Sequence, residues 1–360
     1  MLEIDGSYGE GGGQILRTAL SLSCLTGWAF SIVNIRRQRR KPGLMPQHLA
    51  AVRAAQAVAG ATVEGASPGS VALAFRPGVV QGGTFSFDIG TAGSVGLVLQ
   101  TLIPPLLNAR QPSRVTLTGG THVPASPSIT YLINVFAPML RQLNVRLHLT
   151  VDACGFYPRG GGKVLAEIVP GDGPIAFNPG IPSGPVRING LSAVCHLPLS
   201  IAERQRDAAL QVLGQEKDLP QVEIVVSEVS GPGLGTFLFL AMERHGCLAG
   251  CTALGARGKP AETVGREAAT EMVRHLATRA ALDPHLADQV IPYLALSRGE
   301  STFTTSCITP HLLTNLWVVG LFLSIRYRIS GEEGEPGLVR IAPADKPGRP
   351  LGTVGFCGAT

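Results

Sequence analysis

The stretch Pro46-Gln-His-Leu-Ala-Ala-Val-Arg-Ala-Ala-Gln-Ala-Val-Ala59 decides the fold. Leu49, Val52, Ala55 and Val58 recur at helical spacing, so the segment predicts a helix with one apolar stripe that must be covered by a sheet. Proline at its start is favourable, because the first helical N–H has no partner inside the helix. Working outward, Ala29–Ile35 reads as the preceding strand, the residues from Ala61 onward as the following one, and Gln14–Leu25 as an earlier helix. The same order returns twice. Thr91–Ile103, Arg114–Leu117, Pro127–Leu143 and Val145–Val151 form a second copy; Leu286–Ser297, Glu300–Thr304, Pro310–Phe322 and Ile325–Ile329 form a third. Between them the rhythm breaks, with strand-like Val222–Ser227 and Thr236–Ala241 and helical Ala202–Leu213 and Ala261–Ala277. The pattern predicts an α/β (α+β) fold. Three βαβα-type repeats make a large domain from residues 1–184 and 281–345, residues 185–280 form an inserted smaller α/β domain suited to holding a polymer, and residues 346–360 form a flexible tail.

An apolar fraction of 45% over 360 residues is ample for a packed core, and the 45 glycines and 27 prolines fall between periodic segments, as turns do. A net charge of +5 permits a nucleic-acid or nucleotide ligand without requiring one. Seven scattered cysteines, with neither a basic start nor an apolar run in Met1–Asp5, lead to the expectation of a reducing cytoplasm. Cys247 and Cys251 lie near His245, but no second ligand pair stands at zinc spacing, so buried thiols are expected. The apolar stretch Gly96–Leu107 is too short to span a bilayer and is broken by Gln100 and two prolines, so no membrane role is expected.

Chemistry concentrates at helix starts. Asp5-Gly-Ser-Tyr-Gly-Glu-Gly-Gly-Gly-Gln-Ile-Leu-Arg17 places glycines, an acid, an amide and an arginine where a helix begins. Backbone N–H groups can approach an anion there, and Glu10 can hold a divalent cation beside it. It is not a P-loop, since the lysine and hydroxyl are missing, and in Gly255-Ala-Arg-Gly-Lys259 proline follows the lysine. The basic run of Arg36, Arg37, Arg39, Arg40 and Lys41 sits between a strand and a helix and suits phosphate. His311, in Thr309-Pro310-His311, is the candidate nucleophile because proline fixes the backbone from which its imidazole can face a cleft. Ser306, His311 and Asp288 invite comparison with a hydrolytic triad, but no G-x-S-x-G turn accompanies them, and acids are too sparse for paired-carboxylate glycoside cleavage.

Taken together, Gly9-Glu-Gly-Gly-Gly-Gln-Ile-Leu-Arg17, the pattern I-R-x-x-R-x-x-P-G-L-x-P-Q-H-L from Ile35 to Leu49, Gly90-Thr-Ala-Gly-Ser94, Gly119-Gly-Thr121, Gly155-Phe-Tyr-Pro-Arg-Gly-Gly-Gly162, Leu286-Ala-Asp-Gln289 and His311-Leu-Leu-Thr-Asn315 resemble the RNA 3′-terminal phosphate cyclases over nearly the whole chain. The resemblance implies an ATP-dependent enzyme acting on RNA with a 3′-terminal phosphate. It implies that His311 attacks the α-phosphate of ATP, that AMP passes to the RNA end, and that the neighbouring 2′-hydroxyl closes a 2′,3′-cyclic phosphate. By matching position, Glu10 would hold Mg²⁺ or Mn²⁺, and Arg17, Arg36 and Arg39 would meet phosphates. Gln47 and His48 would orient phosphate or the RNA end; Gln100 and His285-Leu286-Ala287-Asp288-Gln289 would receive adenine and ribose. The glycines Gly160 to Gly162 are expected to shape a turn near the cleft. Cys154 and Met45 depart from positions that are usually or often basic in the family, which bears on RNA-end contacts. Two other readings remain at this stage: a non-catalytic cyclase-like protein that binds RNA or assists ribosome maturation, and an enolpyruvyl transferase built on related repeats. Oligomeric state is open.

Overall fold

Each of the first two repeats carries two antiparallel strands at its end that a βαβα unit lacks. The structure, a computed structural model, describes residues 1–180, 182–216 and 221–344. The first repeat runs β1 (Leu2–Asp5), α1 (Gln14–Thr26), β2 (Phe30–Val33), α2 (Pro46–Ala59), β3 (Thr62–Glu64) and β4 (Leu73–Arg76). β4 inserts between β2 and β3, giving the order β1-β2-β4-β3 with only β1 and β2 parallel. The second repeat runs β5 (Thr84–Asp88), α3 (Val95–Leu107), β6 (Ser113–Gly119), α4 (Ile129–Tyr131), a π-helical turn (Leu132–Phe136), α5 (Ala137–Gln142), β7 (Arg146–Ala153) and β8 (Gly162–Val169). Its order, β5-β6-β8-β7, repeats the first. The unit is therefore βαβαββ, the expected βαβα-type repeat extended by a pair of strands. β1 and β4 are four residues each, too short to display alternation.

The described residues within 185–280 build a separate four-stranded sheet, called the second sheet because it stands apart from the sheets of the repeats. β9 (Arg187–Cys195), α6 (Leu199–Leu213), β10 (Gln221–Glu228), β11 (Gly235–Arg244), β12 (Cys247–Leu254) and α7 (Ala261–Thr278) give the order β10-β9-β11-β12. Successive side chains of a strand point to opposite faces, and β11 uses both. Leu238, Leu240 and Met242 join a core with Val264, Ala268 and Met272 of α7, while Phe237 and Phe239 face the core of the repeats.

The third repeat contains α8 (Pro284–Gln289), α9 (Ile291–Ala295), β13 (Ser301–Thr305), α10 (Pro310–Phe322), β14 (Ile325–Ser330) and β15 (Gly337–Pro343), in the sheet order β13-β15-β14. The expected single helix Leu286–Ser297 is corrected to two short ones, because Pro292 restarts the helix at the beginning of α9. The edge of β13 is covered by two pieces of chain. Phe177 accepts from Thr302 N–H at 3.0 Å, and Leu282 donates to Thr304 and accepts from Ser306 at 3.1 and 3.2 Å. The first strand of this repeat is thus split, and the second sheet grows out of the break.

α1 is buried nearly all round, with Ile15, Leu16, Ala19, Leu20 and Leu22 fully enclosed, and it packs against α2, α3 and α10. Helices of all three repeats therefore converge on α1, which brings their starts together. No helix among the described residues is long and apolar enough to cross a membrane. The expected tail, residues 346–360, lies outside the described residues.

Candidate active site

The loop from Gly6 to Gly13 is shaped by its ends. Asp5 accepts from Ser7 N–H (2.9 Å), Ser7 Oγ (2.7 Å) and Asn34 Nδ2 (3.1 Å), bonds that hold its carboxyl below the usual range and make it a turn anchor. Glu10 N–H reaches Thr314 Oγ1 at 3.4 Å, tying the loop to α10. Gly9 has φ +56° and abuts that same Thr314 hydroxyl, so a side chain there would be both strained and obstructed. Gly13 carries no Cβ where the ring of His48 and the guanidinium of Arg17 close over it.

His311 stands at the start of α10, where Thr309 caps the helix by accepting from Leu312 N–H at 3.1 Å. Its Nδ1 lies 2.6 Å from Gln14 Oε1, the first residue of α1, and 3.7 Å from Glu10 Oε1. An amide oxygen only accepts, so Nδ1 carries the hydrogen and Nε2 keeps its lone pair. Burial lowers the His311 pKa below the ordinary 6.5, with Glu10 opposing and Arg17, His285 and Arg39 reinforcing the shift. The ring is neutral and nucleophilic at neutral pH.

Beside it opens a cavity of about 390 Å³ walled by α1, α3, α8, α10 and the second sheet. Arg17, Gln100, His285, Asp288, Gln289 and His311 line it, so the structure brings these expected residues together, and Gln14 lines it beside them. Burial brings Arg17 down to about 10, with Glu10 and Asp288 holding it up, so it stays cationic. Asp288 is pushed up to about 7, chiefly by burial, with Asp283 and Glu10 adding to the shift and His285 and Arg17 opposing it. Gln100 Nε2, Gln289 Oε1, Ser21 Oγ and Tyr293 OH are buried without partners, and all four residues line this space. A polar ligand with its own donors and acceptors would satisfy them.

Other expected residues adjoin the cavity rather than line it. Arg39 is ion-paired with Glu10. Arg36, at φ +55°, donates to Lys41 O (2.8 Å) and Gly43 O (2.9 Å), cinching the basic loop. Gln47 Oε1 accepts from Ser94 N–H at 3.2 Å at the start of α3. His48 is 3% exposed, and its Nδ1 accepts from Met45 N–H at 3.2 Å. Burial, with Arg17 and Arg36 nearby, lowers its pKa to about 3. Leu286 and Ala287 are fully enclosed and are not among the residues lining the cavity: on this short helix they face the core, opposite Asp288 and Gln289.

Among the described residues no group of three or more His, Cys, Asp or Glu side chains is placed to hold a metal. Mg²⁺ and Mn²⁺ prefer oxygen ligands, and Mg²⁺ is commonly held by one or two carboxylates together with substrate phosphates. The Glu10 carboxylate fits that partial role, and only with phosphate oxygens completing the shell.

Sequence reasoning missed several contributors. Gln14 lay within a quoted motif, but nothing along the chain links it to a histidine 297 residues away. Thr252 and Glu271, from the second sheet and its helix, also line the cavity. Asp283 accepts from Tyr131 OH, Gly250 N–H, His285 N–H and Leu286 N–H at 2.8–3.1 Å, joining the second repeat, the second sheet and α8. Its only linear signal is Asp before Pro284, a helix-capping pattern.

Comparison with known proteins finds a family described as RNA 3′-terminal phosphate cyclase matching residues 8–329. A protein of that name from Methanopyrus kandleri is 45% identical over 352 residues, covering 95% of this chain and 99% of the relative. Those from Pyrococcus furiosus and Methylococcus capsulatus are 43% and 44% identical, covering 95% of this chain and 98% and 96% of theirs.

Proposed function

This chain belongs to the RNA 3′-terminal phosphate cyclase family, and we propose from that premise that it is an ATP-consuming enzyme of the ligase class that turns an RNA 3′-phosphate into a 2′,3′-cyclic phosphate through adenylylated His311. The observation that carries the mechanism is the 2.6 Å contact from Gln14 Oε1 to His311 Nδ1, which aims a bare Nε2 from the cavity wall. Nε2 attacks the α-phosphorus of ATP; the N–P bond forms as the bond to pyrophosphate breaks. Arg17, Arg36 and Arg39 stand as fixed guanidinium donors for the charge that accumulates on the departing group. A divalent cation held through Glu10 and nucleotide phosphates would supply further positive charge there. Gln100, Asp288 and Gln289 receive the nucleoside.

In the second step an oxygen of the RNA 3′-phosphate displaces His311 from the adenylyl phosphorus and regenerates neutral imidazole. A free phosphate monoester has no good leaving group, whereas the adenylylated end expels AMP when the adjacent 2′-hydroxyl attacks. The tethered hydroxyl needs little further positioning. The six cysteines among the described residues are free thiols, and five are buried, which supports a reducing, cytoplasmic setting.

The test is an RNA carrying a labelled 3′-terminal phosphate, incubated with ATP and a divalent ion. The label should become resistant to phosphatase and remain on the RNA. Label that stays fully phosphatase-sensitive refutes the activity and favours a binding role.

A further inference from the structure

A second open groove of about 500 Å³ lies where the Phe156–Gly162 turn meets the loop before β11. Phe156 forms its floor, and Tyr157, Arg159, His196 and Leu234 form its walls. Tyr157 is 70% exposed and Leu234 64% exposed, an unusual display for large apolar groups. Arg159 is exposed and has no ion-pair or hydrogen-bond partner among the described residues. No Asp or Glu lines the groove. His196 Nε2 meets Gly231 O at 2.7 Å, which fixes that wall.

The turn that lines the groove packs against the segment leading to the candidate active site. Gly160 approaches the Thr91–Ala92 backbone so closely that a Cβ would come within 2.8 Å of it. Two residues on, Ser94 N–H binds Gln47 Oε1, and the neighbouring His48 covers Gly13 beside Arg17. These contacts set the turn next to the segments that carry Gln47 and His48.

We propose that the groove seats the single-stranded RNA upstream of the reacting 3′ end, with a base stacked on Tyr157 against Leu234 and its backbone phosphate at Arg159. The inference rests on the function proposed above. An exposed aromatic ring beside an unpaired guanidinium is the arrangement by which single strands are held without reading their sequence. The turn residues that the adenylylation mechanism leaves unused thereby acquire a role. The same turn contributes positive charge with no acid facing it, as a polyanion requires.

The test uses the intact chain and 3′-phosphorylated oligoribonucleotides from a dinucleotide upward. KM for cyclisation should fall with length and then level off. Tyr157→Ala and Arg159→Ala should each raise KM for the longer RNAs by about tenfold while leaving the dinucleotide unchanged, and Tyr157→Phe should behave as the unaltered chain because stacking needs only the ring. Fluorescence anisotropy of the same labelled RNAs without ATP reads affinity independently of turnover. There, Arg159→Ala should also flatten the salt dependence by about one phosphate contact. Unchanged long-RNA affinity in both alanine variants, or an equal loss for the dinucleotide, overturns the groove assignment. An unaltered chain that binds RNA in this length-dependent way but cyclises none of it refutes the proposed activity and leaves the groove standing.

Discussion

α2 and α10 occupy the same place in the first and third repeats, and both begin at a proline followed closely by a histidine, yet the two histidines do opposite things. His48 lies two residues after Pro46, turns inward and accepts the Met45 N–H; His311 directly follows Pro310, and its side chain is 47% exposed at the cavity. One residue of offset rotates a side chain by about 100° around a helix, enough to exchange core for cleft. Residue type and motif thus locate the helix start, and position on the helical circle decides between a capping group and a candidate nucleophile.

The sharpest way to break this contrast is to remove each ring. His311→Ala should abolish adenylylation, a loss of at least about 10³-fold, with little change in thermal stability, because a half-exposed side chain is deleted. His48→Ala should reverse the ranking, costing about 1–3 kcal/mol of stability through a lost cap and a small void. Calorimetry alongside ATP labelling reads both. Similar stability losses in the two variants would erase the distinction.

Gln14→Leu comes next. Removing the acceptor of Nδ1–H frees the other tautomer and ring orientation, so adenylylation should slow by about ten- to a hundredfold while affinity for ATP changes less. A rate equal to that of the unaltered chain would show that the 2.6 Å contact does not position the ring.

How much of this was legible in the sequence depends on the range of each signal. α1, α2, α3 and α10 show their period within a dozen residues. β1 and β4, at four residues, do not, and the split first strand of the third repeat could not be read because its halves lie on either side of the second sheet. His311, Glu10 and the arginines announce themselves through glycine, proline and charge patterns. The Gln14–His311 contact, the four-way Asp283 junction and the cavity wall supplied by Thr252 and Glu271 exist only after α1, α8, α10 and the second sheet have docked. Leu286 and Ala287 show the converse: they sit in a recognisable motif but on the face of α8 that packs inward.

Two pH effects are smaller. Stability should decline as pH falls below about 6.5, since burial holds the pKa values of His48 and of His122, whose ring sits between the Thr121 and Thr130 hydroxyls at 2.9 Å each, near 3 in the folded chain, and both take up protons only on unfolding. Thermal midpoints of His122→Gln should show a weaker decline across this range; an identical one would remove His122 from the account. For adenylylation itself, the acid limb should lie below pH 6.5, and Arg17→Met should move it upward, because Arg17 helps to keep His311 neutral. A limb that moves down, or stays fixed, contradicts that electrostatic arrangement.

The central claim is that His311 carries AMP between ATP and RNA. Incubating the protein with ATP labelled at the α-phosphate, digesting it and locating the label tests this most directly. The account predicts an acid-labile label on the peptide containing His311 that is discharged by RNA bearing a 3′-phosphate. Label on another residue, or equal label on His311→Ala, would contradict it.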